Sequence, residues 1–199
     1  MKKILVALSF AAAASTAQAY SVDVVPFTVP LDGATPMDFN TGLPAEHVSG
    51  GAIFNASIPN ITAQPVGADG TPFFSVGAST GQEGPAIFDL GGPVNYFGFL
   101  WGSVDVHNEV ALYNDGNLVF SFTGNGFVPN NGDQAQSIYV DIFGGNGEFF
   151  DEIRFSTGSI AFEIDNAGYG TVPVPAALPL MASALGMFGL SRRKSKKAA

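Results

Sequence analysis

Asn108-Glu109-Val110-Ala111-Leu112-Tyr113-Asn114-Asp115-Gly116-Asn117-Leu118-Val119-Phe120-Ser121-Phe122-Thr123 is the stretch that decides the fold of this chain. Asp115-Gly116 lies at its centre, between two runs in which apolar residues recur at every second position. A two-residue hairpin loop needs positive φ at its central positions, which Asp and Gly tolerate far better than bulky residues do. A period of two sends alternate side chains to opposite faces of a sheet. The stretch therefore predicts an antiparallel hairpin with strands over 108–113 and 117–123. Leu118, Phe120 and Phe122 share one face, while Val119 and Ser121 take the other.

The same alternation continues outward. Ile138, Val140 and Ile142 alternate with Tyr139 and Asp141, and Ile160, Phe162 and Ile164 alternate with Ala161, Glu163 and Asp165. Apolar groups on one face and small or acidic groups on the other predict a sheet with one face buried and one solvated. Further strands are expected over 86–90, 94–101, 136–143, 151–156 and 160–165, with Gly144-Gly145-Asn146-Gly147 and Thr157-Gly158-Ser159 as turns. The first half is less regular: strands are expected over 21–29, 46–55 and 72–77, joined by Pro- and Gly-rich loops such as 32–36 and 65–70. No cysteine is present, so no disulfide holds the fold together. The prediction is one all-β domain over 20–171, an antiparallel β-sandwich or jelly roll.

The two ends differ from this body. Met1–Ala19 reads as a secretory signal peptide: Lys2-Lys3, an apolar run from Ile4 to Ala14, then the small residues of Ala17-Gln18-Ala19. The mature chain is expected to begin at Tyr20. At the other end Val172-Pro173-Val174-Pro175 leads into an apolar tract reaching Leu190, then Ser191-Arg192-Arg193-Lys194-Ser195-Lys196-Lys197. An apolar run stopped by cations is held in a bilayer with the cations on the cytoplasmic side. The tract from Val174 to Leu190 sits at the short end of what spans hydrocarbon, which suits a temporary anchor.

Charge divides along the same boundaries. The chain has eight Lys and Arg against seventeen Asp and Glu. Two cations lie in the leader and five in the tail, so Arg154 is the body's one cation and the body carries about −16. Such a surface repels nucleic acid and anionic lipid, which excludes nucleic-acid partners.

The order of parts over 172–199 resembles the PEP-CTERM sorting signal of bacterial proteins handled by an exosortase. That signal has a Val-Pro-Glu-Pro-like box, a transmembrane helix and an Arg-rich tail. Here Val172, Pro173, Val174 and Pro175 match the box, with Val174 where the family has Glu, and Arg192, Arg193 and Lys194 match the tail. Tyr96-Phe97-Gly98-Phe99-Leu100-Trp101-Gly102-Ser103-Val104-Asp105 and Ala161-Phe162-Glu163-Ile164-Asp165-Asn166 also look like the body of exosortase-dependent surface proteins. The resemblance implies export, transient insertion in the inner membrane with a cytoplasmic tail, then transfer to the cell surface or an extracellular polysaccharide (biofilm) matrix. It implies an exosortase as partner and a structural or adhesive, non-enzymatic role. The alternatives are a carbohydrate-binding module of that matrix and a secreted hydrolase.

Candidate chemistry in the body is sparse. Gly77-Ala78-Ser79-Thr80-Gly81 has the form of a nucleophile elbow, but Gly84-Pro85 follows where that motif needs a helix. His47 and His107 lack zinc-ligand spacing. Glu148, Asp151 and Glu152 form an acidic cluster, the residue type a glycosidase uses in pairs across a cleft. Hard cations take oxygen ligands from loops, so Asp105, Asn108, Asp165 and Asn166, placed at strand ends by this reading, are the candidate ligands for one structural calcium. Trp101 is read as core, with an exposed sugar-stacking platform as the alternative.

Overall fold

The computed structural model describes residues 20–26, 29–68, 70–77, 84–127, 131–145 and 147–172. The leader 1–19 and most of the tail, 173–199, lie outside the described residues. Among the described residues no helix is long and apolar enough to cross a membrane.

The hairpin forms as its sequence dictates. Strand β8 (Asn108–Asn114) pairs antiparallel with β9 (Asn117–Thr123), and Asp115 and Gly116 take φ of 49° and 73° at the turn. Around it lie β1 (Tyr20–Val25), β2 (Thr35–Met37), β3 (His47–Ser49), β4 (Ala52–Phe54), β5 (Phe73–Val76), β6 (Ala86–Val94) and β7 (Tyr96–Gly102). The chain closes with β10 (Ser137–Gly144), β11 (Phe150–Thr157) and β12 (Phe162–Gly170). All pairings between these strands are antiparallel. One sheet has the order β1-β10-β7-β12-β5-β4, with β2 added to β12, and the other has the order β3-β6-β11-β8-β9.

The two sheets pack face to face over an aromatic core. Phe97, Phe99 and Trp101 of β7 and Phe162 of β12 face Phe88 of β6 and Phe155 of β11, all fully buried. The Trp101 ring stacks on Phe162 at 4.7 Å between centroids, and Phe155 meets Phe99 and Phe162 edge-on at 5.2 and 5.3 Å. Offset and edge-on arrangements such as these are the favoured ones for aromatic quadrupoles. Trp101 is thus a core residue, and no part of it is exposed for stacking on a sugar.

Several expectations change in detail. The run 46–55 is two strands in different sheets, because Gly50 and Gly51 take φ of 74° and 64° and turn the chain across the sandwich. A Cβ on Gly50 would strike the Pro85 carbonyl, and one on Gly51 would strike the Phe74 ring. Residues 35–37, expected as loop, form β2 against β12. Phe120 and Phe122 do pack against the core, half-buried, but Leu118 is 56% exposed because β9 is the free edge of its sheet. Ile160 lies in the turn before β12 and is exposed.

The largest correction concerns the seven-stranded sheet, whose second face is not solvated. Asp141, Glu163 and Asp165 point away from the aromatic core, as alternation requires, yet each is at most 4% exposed. The loops around 29–33 and 58–68 roof this face. Pro30 lies over Gly168 and Pro65 over Gly102.

The strand registers define two ends of the sandwich. At one end, here the exit end, are Tyr20, the β6–β7 turn, the Asp115-Gly116 turn, the β10–β11 connection and Val172. The opposite, far end carries the β7–β8, β9–β10 and β11–β12 connections. Truncating Phe155 to Ala is expected to cost about 3–5 kcal/mol, as for other fully buried Phe. Leu118→Ala should change stability by less than about 0.5 kcal/mol, as for exposed sites. Chemical denaturation that found equal effects for the two would contradict this assignment of core and edge.

Candidate functional site

Three polar constellations stand out. The first is the roofed face of the seven-stranded sheet. Gly98 in β7 lies between Asp141 of β10 and Gly168 of β12. Because Gly98 has no side chain, Tyr96, Tyr139 and Asp141 converge over it; a Cβ there would strike both hydroxyls and the carboxylate. The Tyr96 hydroxyl donates to Asp141 Oδ1 at 2.7 Å and accepts from the Leu31 amide at 3.0 Å. The Tyr139 hydroxyl donates to the Asn166 carbonyl at 3.1 Å. Two residues along the sheet, Glu163 Oε1 accepts from the Ala63 amide at 2.8 Å and from Thr62 Oγ1 at 3.3 Å, and Oε2 accepts from Ser103 Oγ at 2.7 Å. These carboxylates fasten the roof loops to the sheet.

Burial sets their ionisation. Desolvation raises Asp141, opposed by the Tyr96 hydrogen bond and reinforced by the charge of Asp23, its cross-strand neighbour on β1. Desolvation also raises Glu163, and its four hydrogen bonds from Ala63, Ser103, Thr62 and its own amide offset only part of that. Both tyrosines are raised well above the usual phenol range, chiefly by burial.

The second constellation lies at the far end. Asp105 follows β7 and accepts the Asn108 amide on its backbone carbonyl at 3.1 Å. Its carboxylate lies 3.6 Å from His107 Nε2. Burial raises the Asp105 carboxyl, and His107 pulls it back. Asn108 is fully buried and accepts from Thr157 Oγ1 at 2.8 Å. Nearby, Val104, Asp133, Gln136, Ser137 and Ile138 line a recess of about 10 Å³, room for little more than one water.

The four candidate calcium ligands fall into two pairs. Asp105 and Asn108 belong to this far-end connection. Asp165 and Asn166 sit inside β12, not at a strand end: the register shifts between Asp165 and Gly168, and Asn166 takes φ of 46° at that irregularity. Asp165 pairs with Leu100 in the seven-stranded sheet, while Asn108 pairs with Thr157 in the other. Among the described residues no group of three or more His, Asp or Glu is placed to hold a metal ion. The remaining candidates have structural contacts. Asp151 Oδ2 caps the hairpin turn through the Asp115 amide, Glu152 pairs with Arg154 at 2.6 Å, and Arg154 lies 3.8 Å over the Tyr113 ring. His47 Nε2 donates to the Gly50 carbonyl at 2.6 Å. Ala78–Gly81 of the elbow-like motif lies outside the described residues.

The third constellation, which the sequence reading missed, is at the exit end. Asn95, in the turn between β6 and β7, pairs its side-chain amide with the backbone of Val172. Nδ2 donates to the Val172 carbonyl and Oδ1 accepts the Val172 amide, both at 2.8 Å. The Asn95 amide donates to Gly170 at 3.2 Å, and its carbonyl accepts from Gly144 at 2.8 Å. Gly144 in turn pairs with Tyr20, whose hydroxyl donates to the Phe149 carbonyl at 3.0 Å. Of the sorting-signal residues, Val172 is therefore built into the body, while Pro173, Val174, Pro175, Arg192, Arg193 and Lys194 lie outside the described residues. An Asn between two strands reads as an ordinary turn residue, so nothing local marked it.

No protein-family model and no curated protein matches this sequence. Among solved structures it is similar to the enzymatically active domain of bacteriophage CBA120 tailspike protein 4. That likeness has 16% identity and a TM-score of 0.34, over 78% of this chain and 20% of that one. The chain spans about a fifth of that structure's length, and a likeness at this level says nothing of activity.

The buried acids make a pH prediction. At acid pH they are protonated in both folded and unfolded chains. As pH rises past the ordinary values of 3.8 for Asp141 and 4.5 for Glu163, the unfolded chain releases these protons first, because the folded values are raised. Stability is then lost as pH climbs through the folded values. The melting temperature should be higher at about pH 5 than at pH 7.5, and Glu163→Gln, which keeps an acceptor for Ala63, should narrow that gap. A melting temperature that rises across this interval would contradict the assignment.

Proposed function

We propose that this chain is an exported structural or adhesive protein of the cell surface or extracellular polysaccharide matrix, sorted by an exosortase through its C-terminal signal. The observation that carries the reading is the order of parts in the tail: a Pro box at Val172–Pro175, an apolar tract to Leu190, and Arg192, Arg193 and Lys194. Val174–Leu190 would serve as a transient inner-membrane anchor, with the basic tail retained in the cytoplasm.

Two further observations support this. Every acid of the chain lies in the body and nearly every cation in the ends, so trimming both ends would leave a strongly anionic domain that stays soluble among other anionic surfaces. Tyr20 and Val172 also lie at one end of the sandwich, joined through Gly144 and Asn95. A leader and an anchor attached there would tether one end of the domain. The far-end loops, with Asp105, His107 and Asp133, would be held away from the bilayer, where a matrix partner can be met.

Replacing Arg192, Arg193, Lys194, Lys196 and Lys197 by Gln should abolish surface display, with the body found in the medium or left in the membrane fraction. Surface labelling of intact producing cells checks this. Unchanged display would show that the basic tail is dispensable and would overturn the sorting reading.

A further inference from the structure

We infer that Asn95 is a positioning residue that sets where the chain becomes open to a processing peptidase. It withholds everything through Val172 and leaves the peptide beyond it as the first accessible one. The inference rests on the reading of 172–199 as a processed tag, and the contact that carries it stands independently.

A peptidase binds its substrate as an extended strand through free backbone N–H and C=O groups. Up to Gly170 these groups belong to β12, which pairs with β7 on one side and with β2 and β5 on the other. A strand hydrogen-bonded on both sides offers a peptidase nothing to bind. Beyond Gly170 the sheet ends, and an unsecured chain would fray back into β12. Asn95 prevents this by mimicking a neighbouring strand. Its carboxamide supplies one donor and one acceptor to the same residue, as a paired strand would. Both bonds are shielded from water, since Asn95 is 7% and Val172 9% exposed. Residue 173 is Pro and has no N–H to pair, so the protected register stops at Val172. Asn95 also ties Gly170 and Gly144 through its own backbone, and Gly144 is the partner of Tyr20. The two ends that processing would create are thus set side by side by one turn residue.

The test compares the full chain, purified in detergent, as wild type, Asn95→Ala and Val172→Pro. Val172→Pro removes the amide that donates to Asn95 Oδ1 while leaving the β6–β7 turn untouched, so it serves if Asn95→Ala fails to fold. After limited digestion with proteinase K, intact mass should give a wild-type fragment ending at or just past Val172. In either variant the end point should move back past Gly170, while the melting temperature of the trimmed body shows that the core is intact. The same end point in folded wild type and folded variants would overturn the inference. In producing cells, wild-type surface protein should show one C-terminal mass and the variants several. If digestion behaves as expected but native wild-type protein keeps its residues to Ala199, the sorting reading and the processing role fall together and Asn95 remains a clamp only.

Discussion

Everything in this molecule hangs on the ring contacts that join the two sheets. Trp101, Phe99 and Phe162 form one wall of the core, and Phe155 and Phe88 form the other. With no disulfide available, burial of these rings is the main force holding the sheets together. It also fixes direction. Once Phe97, Phe99 and Trp101 face inward, Tyr96, Gly98, Leu100 and Gly102 must face outward, and so must Asp141, Glu163 and Asp165 beside them.

That forced outward row has a consequence for the loops. The acids could have faced water, but the first half of the chain crosses over them. Leu31, Thr62 and Ala63 give hydrogen bonds to Tyr96 or Glu163, so the long loops are held by the same side chains that they bury. Carboxyl groups in such a place cost stability when charged, and their hydrogen bonds offset part of it. The acidity of the domain is therefore of two kinds: a solvated surface, and a small buried set that pins the roof.

The strands of the second half were legible because tight turns and strict alternation are local signals. Asp115-Gly116 and the runs beginning at 108 and 117 are a clear case, and the expected and observed limits there differ by no more than a residue. What alternation cannot tell is what covers the second face of a sheet. Asp141 and Glu163 look like solvent residues until loops from a hundred residues away are placed over them. Asp165-Asn166 looked like a strand end because neither residue favours a strand, yet β12 absorbs them in an irregularity and runs on to Gly170. Asn95 was illegible for the same reason: its partner is seventy-seven positions away.

The account's central claim is that this sandwich is a body delivered outside the cell with both ends removed at one pole of the fold, where Asn95 links Val172 to the strand that pairs with Tyr20. The intact mass of the native protein, recovered from the surface or matrix fraction of the organism that makes it, tests this most directly. The account predicts a chain that begins at Tyr20, ends shortly beyond Val172 and lacks the basic tail. A native protein that retains Arg192–Lys197, or that is found only in the cytoplasm, would contradict it.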